Sequence, residues 1–284
     1  CTKVVCTTTL VLRLIEEGCF SLKTKVKDIL PDFAFDEITI LHLLTHTSGM
    51  IPDDKNYRKC TNKDEMYEFI NSIPLAYKTG SDLQYSDFGF IVLGKIIEHY
   101  KGNLEEYANE VIFKPLEMTH TMFKPKEKGY ADLCVTEEIQ ADRGGAIIGE
   151  AHDGKAFRMG GVSGNAGLFS TVEDISRFVQ MLLRNGENVL SPASINLLKT
   201  YRTENKPSIR TLGWIANDND ASDGDYYSSK CLYHTGFTGT SIYVDFERGC
   251  GIVLLINAVH PHRGNPYTMS IRNRVHNVIL SEYR

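Results

Sequence analysis

No stretch of this 284-residue sequence is apolar for long enough to cross a bilayer. The longest run, around Gly251–Asn257, is about seven residues, against the roughly 20 that a spanning helix needs. There is no basic block, and the net charge of −5 gives no electrostatic footprint for nucleic acid. Seven cysteines (Cys1, Cys6, Cys19, Cys60, Cys134, Cys231 and Cys250) are scattered, without a CxxC pair or a Cys/His cluster at zinc-ligand spacing. A chain of this size can bury a full core without disulfides, and Cys6, Cys231 and Cys250 stand among apolar neighbours, so they read as buried thiols. His42 and His46 are four apart but lack the glutamate of HExxH, which leaves them structural or supporting roles. Gly160–Gly164 lacks the Gly-Lys-Ser/Thr ending of a phosphate loop. Ser48, Ser86 and Ser163 all lack a G-x-S-x-G elbow. The chain also lacks an opening methionine: it begins on Cys1, inside a helical pattern, and the expectation is that a segment precedes it. An export signal in that segment would send the protein to the cell envelope or outside; otherwise it would stay cytoplasmic.

What is present is organised. Val4, Val5, Leu10, Val11, Leu14 and Ile15 have helical spacing, and Gly18 ends that helix. Short helices are expected at Ile40–Leu44 and from an Asn62/Glu65 capping box to Ile70, then stronger ones at Phe88–Tyr100 and Leu104–Ile112. The glycine-rich stretch up to Phe169 is too long for an idle connector. Ser170 and Glu173 predict a capping box for the next helix, and Ser191-Pro192 opens another. Beyond residue 207 the pattern turns to strands at Ile209–Ala216, Cys231–His234, Thr240–Phe246 and Gly251–Asn257, with Glu247-Arg248-Gly249 as a turn. A helix over Thr268–Leu280 closes the chain. The reading is a single domain, 1–284, with a mainly helical part to about residue 205 and a strand-bearing part from about 206. Three or four strands make a thin sheet for this length, so further strands are expected from the preceding segment.

Three segments carry candidate chemistry. Taken singly, Lys3 is a lysine at a helix start, Tyr85-Ser86-Asp87 contains an N-cap, and His234-Thr235-Gly236 is a strand end. Taken together they resemble the Ser-x-x-Lys, Ser-Asp-Asn and Lys-Thr-Gly triplets of serine β-lactamases and penicillin-binding proteins. The resemblance is to the branch in which the second motif begins with tyrosine and the third can begin with histidine, that of class C β-lactamases, D,D-carboxypeptidases, D-aminopeptidases and related esterases. It extends through Leu43-Leu44-Thr45-His46-Thr47-Ser48-Gly49, Gly164-Asn165-Ala166-Gly167-Leu168-Phe169-Ser170-Thr171, Phe237-Thr238-Gly239-Thr240 and Asn257-Ala258-Val259-His260-Pro261, over nearly the whole chain.

The resemblance implies an α/β (α+β) fold of two subdomains, an antiparallel sheet flanked by helices beside a large helical part. It implies a serine hydrolase working through an acyl-enzyme, with no metal and no organic cofactor. Its partners would be small peptide, ester or β-lactam substrates, including peptidoglycan fragments. Lys3 takes the lysine position, which puts the nucleophilic serine immediately before Cys1, one helical turn away on the same face. The lysine must release its proton to activate that serine, a step that burial and nearby positive charge would ease. Tyr85 is implied as the proton shuttle, and Asp87 stands where the pattern often has asparagine; a carboxylate there could pair with Lys3 but cannot donate an amide hydrogen bond to substrate. His234 replaces the lysine of Lys-Thr-Gly and makes the site less electropositive. Thr235 and Gly236 are implied at the substrate, and the Phe237 N–H in the oxyanion hole. His152, His260 and His262 are loop residues that line the cleft at most. A non-catalytic binding or sensing domain with the same cleft is the alternative class.

Overall fold

The computed structural model describes residues 1–140, 143–216 and 224–283. The chain opens with a wide π-type turn over Lys3–Thr8 that continues into α1 (Thr9–Glu16). All six residues of the wide turn are buried, Lys3 among them, so this segment is a core element and not a surface helix. Short helices α2 (Val26–Ile29) and α3 (Ile40–Leu44) follow, then α4 (Lys63–Ser72) and the long α5 (Asp87–Lys101). Helix α5 buries Phe88, Phe90, Ile91, Val92, Leu93, Ile96 and Ile97, and it packs against both α1 and α3 at the centre of the helical part. Ser86 caps its start, accepting from the Gly89 N–H. Helix α6 (Leu104–Ala108) passes into a second π-type turn, Asn109–Phe113.

The glycine-rich stretch holds more regular structure than its weak periodicity predicts. Strand β1 (Met122–Phe123) pairs with β4 (Leu168–Phe169), and β2 (Val135–Gln140) forms a hairpin with β3 (Gly145–Ile148). Helix α7 (Gly154–Arg158) lies between β3 and β4. Helix α8 (Val172–Leu183) then buries Ile175, Phe178, Val179 and Leu182 along one side. Its cap is one residue later than the expected Ser170/Glu173 box: Thr171 accepts from the Asp174 N–H, while Ser170 bonds the Thr121 hydroxyl. At α4 the expected box is only half made. Asn62 accepts from the Glu65 N–H, but Glu65 reaches back to the Thr61 N–H. Helix α9 (Pro192–Thr200) begins with proline at its first turn behind the Ser191 cap.

The four-stranded sheet is antiparallel throughout, in the order β5 (Ile215–Ala216), β6 (Cys231–Thr235), β7 (Ser241–Asp245) and β8 (Cys250–Leu254). It is followed by α10 (Thr268–Ser281). Side chains alternate across a strand, and the sheet sorts its residues accordingly. Cys231, Tyr233, Tyr243, Cys250 and Ile252 form one apolar layer with Leu280 of α10. Leu232, Ile242 and Val244 point the other way, into the main core shared with α1, α5 and α8. His234, two residues on from Leu232, therefore faces the helical part.

Two-layer contact on this side depends on glycine. A Cβ built on Gly164 would lie 2.1 Å from the Phe90 carbonyl oxygen and 2.9 Å from the Gly94 nitrogen, so the Gly164–Ser170 segment reaches α5 only without a side chain. The Thr7 hydroxyl donates to the Gly164 carbonyl at 2.6 Å and ties the first turn to the same place. We expect Gly164→Ala to lower stability by about 2 kcal/mol or more. Differential scanning calorimetry would then read a fall in the unfolding midpoint of roughly 5 °C for a domain of this size.

Candidate active site

Lys3 is the centre of the site. It is 5% exposed, and its ammonium donates to Asp87 Oδ1 at 2.7 Å and to the Asn165 carbonyl at 3.0 Å. The nitrogen also lies over the Tyr85 ring, 4.9 Å from its centroid. Burial alone would disfavour the ammonium, but the Asp87 carboxylate and the Tyr85 oxygen more than offset it and raise the Lys3 pKa above the ordinary lysine value. This differs from the expectation that surrounding positive charge eases proton release. In the resting protein Lys3 is held as the ammonium.

Asp87 is the first residue of α5, and its carboxylate is shared. Oδ2 pairs with Lys155 at 3.2 Å while Oδ1 pairs with Lys3. Burial works against that carboxylate, yet the two ammoniums hold its pKa down at about 2. Lys155, on α7, was not anticipated. It lies in a stretch with no helical periodicity, and no spacing in the sequence ties it to Lys3.

Tyr85 is held by the turn that carries His46. The Gln84 N–H donates to the His46 carbonyl at 3.0 Å, and the Ser86 N–H donates to His46 Nδ1 at 3.1 Å, so one histidine fastens the backbone on both sides of Tyr85. The two rings also pack, with centroids 4.5 Å apart. Burial first, then Arg210 and Lys3, keep the His46 imidazole well below the usual histidine pKa, consistent with an acceptor Nδ1. Tyr85 itself is 38% exposed.

His234 stands across from Tyr85, 6.5 Å between ring centroids, and is 3% exposed. Burial is the main reason its pKa falls well below the usual range, with Lys3, Arg210 and His46 adding to it. His234 is therefore neutral at pH 7. Arg210 brings positive charge to this side of the site: its guanidinium lies 5.8 Å from the centre of the Tyr85 ring, and its charge acts on His234.

Thr235 ends β6, and the turn after it is tightly built. Gly236 donates to the Thr240 carbonyl at 2.8 Å, and a Cβ on Gly236 would meet Thr240 Oγ1 at 2.3 Å. Arg272 of α10 donates to the carbonyls of Gly239 and Thr240 at 2.7 and 3.1 Å. The same built Cβ on Gly236 lies 3.5 Å from the Cys1 nitrogen, so the start of the first helix abuts this turn. The Phe237 ring is 71% exposed, stacked on His152 and approached by Arg263 at 5.4 Å. Thus Lys3, Tyr85, Asp87 and His234 converge, and Thr235, Gly236 and Phe237 form the adjoining edge.

The other candidates are committed elsewhere. Ser86 donates to the Ile51 carbonyl, Ser163 donates to Asn165 Oδ1, and Ser48 accepts from the Met50 N–H. His42 completes the Thr39 capping box, and His260 sits 3.8 Å from Glu138. Among the described residues, no group of three or more His, Cys, Asp or Glu side chains is placed to hold a metal ion, and no helix is long and apolar enough to cross a membrane.

A lysine and a tyrosine brought together beneath a His-Thr-Gly strand end, between a helical part and an antiparallel sheet, define the penicillin-recognising class of folds. The comparisons agree. Residues 1–273 match the family described as Beta-lactamase, and the chain belongs to it. It is 33% identical over 298 residues to an N-acetylmuramyl-L-alanine amidase of Bacillus subtilis (strain 168), covering 91% of this chain and 67% of that protein. It is 32% identical over 300 residues to an Escherichia coli (strain K12) protein provisionally named as a D-alanyl-D-alanine carboxypeptidase, covering 93% and 69%. The octameric penicillin-binding protein homologue from Pyrococcus abyssi superposes with a TM-score of 0.77 at 23% identity, over 99% of this chain and 65% of that one. The chain thus spans about two thirds of the length of these relatives. Its architecture is the β-lactamase/transpeptidase-like α+β fold, with antiparallel sheets flanked by helices and a large helical subdomain. Family membership supports hydrolysis of small peptides or esters as the kind of activity.

The Lys3–Asp87–Lys155 pairing has a measurable stability signature. A carboxylate whose folded pKa is depressed contributes stability that is full above its unfolded pKa and is lost as the pH falls through the folded one. Here that window runs from about pH 4 down to about pH 2. Asp87→Asn leaves two buried ammoniums short of a partner and is expected to cost about 3 kcal/mol at pH 7. Urea unfolding as a function of pH should show the gap between parent and variant closing across that window.

Proposed function

We propose that this chain is the greater part of a serine hydrolase that cleaves small amide or ester substrates through a covalent acyl-enzyme, its nucleophile being a serine bonded to the Cys1 nitrogen. The observation that carries the reading is the position of Lys3. It sits on the first turn of a buried helix, against Tyr85 and Asp87, while the Cys1 nitrogen at the head of that helix abuts Gly236. In this reading the residue preceding Cys1 falls one helical turn from Lys3 and beside the Gly236 turn, which leads into the Phe237 N–H. Among the described residues that N–H donates to no backbone carbonyl.

In this reading Lys3 stays an ammonium at rest and lowers the cost of a negative phenolate on Tyr85, which takes the serine proton as the hydroxyl attacks the carbonyl. The Phe237 N–H and that of the serine receive the developing oxyanion. Collapse expels the amine or alcohol, which takes the proton back from Tyr85, and water then repeats the sequence on the ester. Thr235 and Arg210 supply the contacts for a substrate carboxylate, with His234 neutral beside them.

The favoured substrates are D-alanyl peptides or other D-amino-acid peptides, as in the provisional name of the Escherichia coli relative. A second reading, cleavage of the N-acetylmuramyl–L-alanine amide, is favoured by the name of the Bacillus subtilis relative at 33% identity. Both place the chain on peptidoglycan fragments; simple esters and weak turnover of β-lactams belong to the same chemistry. A domain that binds penicillin without turnover is the outcome to be excluded.

The test uses the full chain with its preceding segment. It should hydrolyse a p-nitrophenyl ester, and a panel of D-alanyl peptides and muramyl peptides should identify the amide it cleaves. Tyr85→Phe should lower kcat at least 100-fold with little change in KM. Full hydrolysis by Tyr85→Phe, or no hydrolysis of any panel member by the parent, would sink the reading.

A further inference from the structure

Lys155 has no part in the three sequence motifs, yet it is among the best-buried charges in the protein. Its side chain is 5% exposed, and its ammonium lies 3.0 Å from Asp53 Oδ1, 3.2 Å from Asp87 Oδ2 and 3.3 Å from Asp153 Oδ2. The faces of Tyr57 and Phe88 close the remaining approaches, 5.0 and 6.0 Å from the nitrogen.

These contacts complete a closed ring. Lys3 donates to Asp87 Oδ1, and Asp87 Oδ2 pairs with Lys155. Lys155 pairs with Asp153 Oδ2, and Asp153 Oδ1 accepts from Asn165 Nδ2 at 3.0 Å. The Asn165 carbonyl then accepts from Lys3, which returns the ring to its start. The ring holds two ammoniums and two carboxylates and is neutral, with Asp53 attached at its half-exposed rim. Ser163 fixes the orientation of Asn165 by donating to its Oδ1. Asp153 also caps α7, accepting from the Ala156 N–H at 2.8 Å.

We propose that Lys155 is a positioning residue for the reaction: as the second cation of this ring it balances Asp87 and Asp153, and so sets the pH at which the Lys3–Tyr85 pair can take the nucleophile's proton. The inference rests on the acyl-enzyme reading above. Lys3 faces Asp87 and Tyr85 directly, with His46, His234 and Arg210 beyond them. Lys155 faces Asp53, Asp87 and Asp153. When the Lys3–Tyr85 pair gives up a proton, the ring and tyrosine together become one charge more negative. Without Lys155 that step starts from a ring already carrying one net negative charge, inside a medium of low dielectric, and it is harder.

The experiment is the pH profile of kcat/KM for p-nitrophenyl ester hydrolysis by the full chain. Lys155→Met should move the pH of half-maximal activity upward by about one unit or more, a loss on the order of tenfold at pH 7, with KM changed less than threefold. Asp153→Asn keeps the helix cap and removes one negative charge, so its profile should move downward. The double variant Lys155→Met/Asp153→Asn restores neutrality without the lysine, and its profile should return to that of the parent. Lys155→Arg should leave the profile in place. A merely structural lysine would lower activity at all pH values without these opposed shifts. If Lys155→Met does not fold, the sign of the Asp153→Asn shift decides: an unmoved or upward profile overturns the proposal. A parent that hydrolyses the ester while both variants keep its profile overturns this inference and leaves the functional reading standing. A parent with no activity overturns both.

Discussion

Lys3 carries a full charge in a place that water barely reaches, and what chiefly makes this tolerable is the carboxylate of Asp87 at 2.7 Å, with the Asn165 carbonyl and Tyr85 beside it. A buried ammonium without a partner would be lost as a proton or would unfold its surroundings. The requirement runs outward from that pair. Asp87 has to start α5, so that its carboxylate points back at the first turn of the chain. Gly164 has to be a glycine, so that the Asn165 carbonyl comes within 3.0 Å of the same ammonium. The helical part of the fold is arranged around one nitrogen atom.

The second side of the cleft is fixed by different means. His234 is oriented by strand alternation alone: it shares the face of Leu232, which lies in the main core, and so it must look toward the helices. The turn beyond it is held by Arg272 from the last helix, which reaches three of its carbonyls, those of Gly236, Gly239 and Thr240. Tyr85 sits between the two sides, with His46 bonded to the backbone on either flank of it. The first motif thus comes from a helix, the second from a loop held by a histidine, and the third from a sheet. Each is rigid for its own reason, and a mechanism that needs fixed distances between them is served by that independence.

Much of this was legible in the sequence. The strand Ser241–Asp245 falls within its expected segment, and Cys231–Thr235, Cys250–Leu254 and the closing helix overlap theirs, each running one residue past an expected boundary. Lys3, Tyr85 and His234 were found as motifs and are brought together in space. The stretch between Pro115 and Phe169 was not legible, because two-residue strands such as Met122–Phe123 are too short to show any period. Lys155 and Arg210 were missed for a deeper reason. A charged residue on a short helix or in a loop looks the same in sequence whether it faces water or a buried carboxylate, and only the fold says which. The resting protonation of Lys3 was not legible on the same ground: the sequence allows a pairing with Asp87, but it does not give the distance that makes that pairing outweigh burial.

The consequence for chemistry is a shift of emphasis from lysine to tyrosine. In the proposed reaction, with Lys3 held by Asp87 and Asn165, proton transfer falls to Tyr85, while His234 stays neutral beside it. All of this has meaning only if the acyl group lands beside Lys3. The most direct measurement is tandem mass spectrometry of the full chain after reaction with a fluorophosphonate or a penicillin. The account predicts a single adduct on the side chain immediately preceding Cys1, lost when that residue is replaced by alanine. An adduct on Ser48, Ser86 or Ser163, or undiminished labelling after the alanine replacement, would contradict it.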